Sequence, residues 1–370
     1  MRQLFSLMLL FYFTSAHAND GAFYAKGNQL IPILEKTISL QKEILTIKKI
    51  DNEWIDVTVY YELFNPGKAK TILVGFEAES PSGDVDGTPV NGRHPYMQDF
   101  TVNLNNLILN YDVAIINDSS YLKTGQFNTL NKEEIEIASE DVNAVQFYYA
   151  YHFNATFKNG LNTIVHTYRY RISSSVEMVY DFSYILTAAN RWANKQINDF
   201  TLILDLGDYE TFYVDKTFFK SQKDWLINGI AKVLDIKSNP ERLLNNDALK
   251  FHIQKGDLHF NAKNFHPNGE LNVFAFQYFN FESETDFAFP IYFQEQHSAT
   301  TEFELKALQN LPYARRGCVF NDPKMQAYFE QQEWYLANPS YIPNKDQLTE
   351  EEKKWLELFE ENKEEEEEEY

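Results

Sequence analysis

The chain has 370 residues and one cysteine, Cys318. An intrachain disulfide is therefore excluded, and a chain this long can bury a sizeable core without such staples. Cys318 sits between Gly317 and Val319-Phe320. That is the setting of a small buried apolar residue, and no histidine stands in a cysteine-protease signature. Fourteen glycines follow no period, which excludes collagen-like and repeat architectures. Basic residues are scarce: 33 Lys+Arg face 54 Asp+Glu, for a net charge of −21. Such a field repels nucleic acid and anionic lipid. After the N-terminus no apolar run is long enough to form a membrane span. The G-x-S-x-G elbow, H-E-x-x-H, the P-loop and G-x-G-x-x-G are all missing.

The chain opens with Arg2, an apolar run from Leu4 to Phe13, and Ala16-His17-Ala18. These are the three regions of a secretory signal peptide in order, predicting cleavage after residue 18 and an exported, periplasmic or extracellular protein. No cysteine follows the cleavage site, so no lipid anchor is expected. Thirty Phe, 23 Tyr and five Trp favour half-buried pleated surfaces. Trp54 to Phe64 alternates, with Val57, Val59, Tyr61 and Leu63 on one side. A turn is expected at Asp51-Asn52 before it, and Asn65-Pro66-Gly67 closes it. Further strands are expected over 71–78, 100–109, 144–153, 162–172, 201–206, 251–254, 258–261 and 271–279. Gly256-Asp257 has the chemistry of a hairpin turn between two of these. The stretch 183–196 is open between a helix and a loop, and 223–235 between a helix and an irregular strand. These segments predict an α+β chain with a mainly antiparallel, sandwich-like β body over 19–300. A division into two subdomains near 125–140 stays open.

The C-terminal part changes period. Phe303 to Arg316 reads as a helix stopped by Gly317. Asp322-Pro323 starts another carrying Met325, Tyr328 and Phe329. Thr349 and Glu352 form a capping box for a last helix with Trp355, Leu356 and Phe359. These predict a small all-α domain over 301–360, followed by a solvated acidic tail over 361–370.

Within it, Tyr313-Ala314-Arg315-Arg316-Gly317 is followed by Asn321-Asp322-Pro323, Tyr328-Phe329, Trp334-Tyr335 and Leu348-Thr349-Glu350. This string resembles the YARHG domain, a small extracellular module of bacterial exported proteins. The motif's usual histidine is Arg316 here, which puts any imidazole role in doubt. The resemblance implies an exported protein and no particular reaction. Asp20-Gly21-Ala22, Lys42 to Ile47, Val59 to Asn65, Val74 to Glu77 and Phe100-Thr101-Val102 resemble an uncharacterised exported β-rich domain.

Candidate chemistry concentrates in the 80–99 loop. Asp84 and Asp86 alternate beside glycines, a pattern compatible with calcium, although no glutamate closes an EF-hand. His94 beside Asp99 is the candidate acid–base pair. His252, His259 and His266 fall within fifteen residues but lack a known zinc spacing. Tyr313, Arg315, Arg316, Trp334 and Tyr335 are the candidate binding residues, because arginine with aromatics marks recognition surfaces. Arg315 or Arg316 is expected to pair with Asp322 or Glu330. The leading expectation is a non-enzymatic envelope or secreted binding or scaffold protein without a cofactor. Its module would engage an envelope protein or cell-wall component. The alternative is a hydrolase of envelope polymer or peptide using the loop. A third is self-assembly through strand edges or the module.

Overall fold

Alternation decides the longest strands. Along Trp54–Asn65, Ile55, Val57, Val59, Tyr61 and Leu63 are buried while Asp56, Thr58, Tyr60 and Glu62 face outward. Burying one such aliphatic or aromatic side chain contributes about 1.5–3 kcal/mol, so a register slip of one residue is strongly opposed. The computed structural model describes residues 21–23, 29–33, 36–50, 53–118, 121–139, 146–240, 243–276, 301–350 and 352–357. The expected leader over 1–18, the Asp51-Asn52 turn, Phe359 and the tail over 361–370 lie outside the described residues.

Trp54–Asn65 pairs antiparallel with Ser39–Ile50 on one side and Gly160–Arg171 on the other. These strands sit inside a sheet of eleven strands among the described residues. A smaller sheet orders Gln29–Pro32, Lys70–Glu79, Tyr148–Phe157 and Asp112–Ile116. Val74, Phe76, Tyr149, Tyr151 and Phe153 of the smaller sheet share one apolar cluster with Val57, Tyr61, Val102 and Tyr168 of the larger. The two sheets therefore pack face to face. That cluster runs from Ile38 to Ala275 and includes residues on both sides of 125–140. Pairing is antiparallel except between Ser39–Ile50 and Ile197–Asp205, which run parallel. The C-terminal helices Glu302–Arg315 and Pro323–Glu330 complete an α+β fold.

The hairpin expected at Gly256-Asp257 is not there. Ala248–Phe265 is one strand of 18 residues, and Gly256 lies opposite Gly229 of Trp225–Ile236. Gly229 has φ +148° and Gly256 φ +103°. A Cβ on Gly229 would lie 2.0 Å from the Lys255 carbonyl oxygen, and one on Gly256 2.0 Å from that of Asn228. Glycine is needed here for close approach of two backbones, a use that sequence alone does not separate from a turn. We expect Gly229→Ala to cost roughly 2–4 kcal/mol, read as a lower urea midpoint with an unchanged slope. The other open stretch, 183–196, contains a 3₁₀ turn at Leu186–Arg191 followed by buried Trp192.

The helix ends follow their capping chemistry. Gly317 has φ +83°, and its amide donates to the Ala314 carbonyl (2.8 Å) while Cys318 donates to Tyr313 (3.0 Å). That pair of bonds is a Schellman motif. Thr301 and Glu304 cap the first helix reciprocally. Asp322 accepts from the Lys324 amide with Pro323 in the first turn of the second helix. Ala307, Leu308, Leu311, Met325, Phe329, Tyr335, Trp355 and Leu356 form an apolar cluster of their own.

Candidate functional site

The 80–96 loop is pinned rather than open. Val90 and Arg93 exchange backbone hydrogen bonds (3.0 Å each) across Asn91-Gly92, whose positive φ values match a type I′ turn. His94 follows and is 2% exposed. Its backbone amide donates to the Tyr151 hydroxyl (3.2 Å), and its Nδ1 accepts from the Tyr96 amide (3.1 Å). Nε2 then carries the proton and donates to the Glu79 carbonyl (3.1 Å). Both ring nitrogens are committed to holding the loop. Asp84, Asp86 and Asp99 are exposed. Asp86 accepts from the Thr88 amide (2.9 Å), a turn contact that lowers its carboxyl. The loop does not bring these acids onto His94, and no group of three metal-ligating side chains occurs among the described residues.

The other histidines also lie apart. His252 Nδ1 meets the Thr211 hydroxyl (2.9 Å), His259 Nε2 meets Asp257 (2.8 Å), and His266 Nδ1 meets the Lys195 carbonyl (3.0 Å). His252 and His259 share one strand instead of facing each other across a hairpin.

The C-terminal candidates form a seam between helices and body. The Thr349–Glu352 capping box turns Glu352 inward, where it is fully buried. Arg316 grips both of its oxygens at 2.7 Å, and Arg315 reaches it at 3.4 Å. This corrects the expected pairing with Asp322 or Glu330: Asp322 is used as a cap, while Glu330 accepts from the Gln326 side chain (2.9 Å). Arg316 also donates to the Pro312 (2.9 Å) and Gln347 (3.0 Å) carbonyls. Arg315 donates to the Tyr209 carbonyl of the body (3.0 Å), and the Arg316 guanidinium lies 4.6 Å from the Tyr209 ring centroid.

Along Ala248–Phe265, alternate residues Lys250, His252 and Gln254 share one face and meet the module. Gln254 donates to the Leu336 carbonyl (2.9 Å), and Lys250 is ion-paired with Glu333. His252 Nε2 lies 3.7 Å from Glu333, an electrostatic contact too long for a hydrogen bond. Burial would raise the Glu333 carboxyl, but His252 and Lys250 outweigh it and hold it at about 2. Tyr335 is buried, and its hydroxyl donates to the Cys318 carbonyl (2.7 Å). Tyr313 and Trp334 are half-buried against the module core. The five candidate binding residues thus serve the module's interior and its seam.

A recess that the sequence does not announce lies on the small sheet. It encloses about 400 Å³ and is lined by Leu73, Leu109, Asn110, Asp112, His152, Phe153 and Asn154. It forms where a strand stops: Asp112–Ile116 pairs with residues 148–152 and no further. Upstream, Leu109 donates to Val102 of the other sheet (2.9 Å). His152 and Asp112 are direct cross-strand partners. Phe127 stacks on the His152 ring at 4.2 Å and 21°. The forty positions that separate Asp112 from His152 hide this site from any local motif.

A family model described as the YARHG domain matches residues 290–364. Comparison with curated proteins gives no match. Among solved structures, a Legionella pneumophila protein provisionally described as nutrient binding overlaps with TM-score 0.48 at 18% identity, covering 93% of this chain and 99% of that one. An M1 zinc metallopeptidase from Deinococcus radiodurans overlaps with TM-score 0.23 at 6% identity, covering 66% of this chain and 43% of that one. Baculovirus P35 overlaps with TM-score 0.26 at 11% identity, over 67% of this chain and 99% of its own. At these scores none of the three bears on function.

Proposed function

With a YARHG domain at residues 290–364 as the premise, we propose that this chain is an exported, non-enzymatic binding protein. The β body over 19–300 holds the ligand site, and the helical module over 301–360 is a fixed part of the scaffold. Export rests on Arg2, the Leu4–Phe13 run and Ala16-His17-Ala18, together with the exported character of YARHG proteins. Residues 1–18 are the leader and 361–370 an acidic tail.

The observation that carries this reading is the recess at Asp112 and His152. It offers a carboxylate, an imidazole, two carboxamides and two leucines in one concavity. Convergent polar groups beside apolar surface are one element of a small-ligand site. His94, on which the hydrolase alternative relies, is locked by its own loop.

The test uses the mature chain against peptidoglycan fragments, peptides and small polar metabolites, scored for both melting shift and turnover. We expect saturable melting shifts and no turnover, for wild type and for His94→Ala alike. Turnover that disappears in a folded His94→Ala variant would replace this reading with the hydrolase.

A further inference from the structure

We propose that the recess at Asp112 and His152 takes a small aliphatic amine, with Asp112 as the acceptor for its ammonium group. This names the ligand class of the site on which the binding-protein reading rests. The charge balance of the lining points there first. Its seven residues include one carboxylate and no lysine or arginine, so a phosphate or carboxylate ligand would find no counter-charge and a like charge beside it.

Unlike several acids of this chain, Asp112 has no fixed cation beside it among the described residues. Asp199, Asp205, Asp235, Asp247, Glu333 and Glu352 each have a lysine or arginine partner. Among the described residues Asp112 has no such pair, and its cross-strand neighbour is His152. Burial lowers the His152 imidazole, and Asp112 offsets this only in part. That lowering favours the neutral ring, so His152 is no fixed cation for Asp112.

The remaining lining fits the rest of an amine. An ammonium has three donors and no acceptor. Asn110 and Asn154 supply carboxamide oxygens beside Asp112. Beyond His152, that edge of Tyr148–Phe157 has no pairing strand among the described residues. Leu73 and Leu109 offer apolar surface for a short methylene stem. Phe127 holds the His152 ring by stacking, so this wall is formed before a ligand arrives.

The experiment is calorimetric titration of the full mature chain with putrescine, spermidine, glucose and inorganic phosphate. Wild type should bind one of the amines saturably and neither of the other probes. Asp112→Asn, nearly isosteric at an exposed strand end, should keep its melting temperature and weaken amine binding about tenfold or more. Glu136→Gln, on an exposed helix and outside the recess lining, should leave binding unchanged. Equal weakening by Glu136→Gln, or none by Asp112→Asn, would mean that amines merely coat an acidic surface, and would overturn the proposal. Glucose binding without amine binding would overturn the amine class and leave the binding-protein reading standing. Binding of no probe, joined to a blank in the wider metabolite panel, would remove both.

Discussion

Replacing Arg316 by alanine should cost the C-terminal module about 3–5 kcal/mol, the usual loss when one partner of a buried ion pair is removed. Glu352 has no exposed surface, and Arg316 meets both of its oxygens. Without Arg316, that carboxylate keeps only Arg315 at 3.4 Å and its capping bonds. The same change frees the carbonyls of Pro312 and Gln347. A loss of this size rivals the whole stability of a small domain. The module should therefore become protease-sensitive while the body stays folded. Removing both charges, as in Arg316→Met with Glu352→Leu, should recover much of the loss, because no charge is then buried alone. A single-variant loss within the range of about 0.5 kcal/mol typical of surface sites would show that the pair does not hold the module.

The second large effect concerns pH. Glu43 is fully buried between the sheets, and burial raises its carboxyl to about 8, with the Tyr184 hydroxyl opposing only slightly. One of its oxygens has no hydrogen-bond partner, and the other lies 3.5 Å from Tyr184, which in turn meets Tyr61 at 3.2 Å. The folded value lies above the unfolded one near 4.5. Its contribution to stability is therefore complete below about 4.5 and lost as pH rises towards 8. Glu43→Gln keeps the shape without the titration. The stability difference between the variant and wild type should shift in the variant's favour by up to about 1.4 kcal/mol per pH unit across that window. His166 works in the opposite sense. Burial lowers it to about 4, so its share is present above 6.5 and lost as pH falls towards 4. Urea midpoints from pH 5 to 8 test this. Parallel curves for wild type and Glu43→Gln would mean that Glu43 titrates at an ordinary value.

Local patterns could be read directly from the sequence. Trp54–Asn65 alternates so regularly that its inward face could be named residue by residue. Gly317, Asp322-Pro323 and Thr349 with Glu352 fixed the ends of helices through chemistry confined to a few residues. What depended on distant partners could not be read. Gly256-Asp257 carries a turn signature, yet its conformation is set by Gly229, 27 positions away, in a strand whose own pattern was irregular. Strands Asp112–Ile116 and Thr211–Asp215 are too short for their periodicity to single them out, whereas the alternation of Tyr180, Phe182 and Tyr184 in Met178–Tyr184 was legible and overlooked. Arg316 was visible as a signature residue, but its partner Glu352 had been assigned only as a cap. The loop acids and His94 looked like chemistry because Asp, Gly, Asn and His cluster there. The fold uses them as turn residues and as a peg. The recess depends on where one strand stops beside another, and no spacing within the chain encodes that.

The YARHG signature face is fastened to the chain's own β body through Arg315, Gln254 and the Lys250–Glu333 pair. Zero-length carbodiimide cross-linking of the mature protein tests this most directly, because Lys250 and Glu333 are in direct ionic contact. The account predicts a Lys250–Glu333 isopeptide bond within monomeric chains, found by peptide mass mapping and lost in Glu333→Gln. Absence of that bond, or its appearance only between chains, would contradict it.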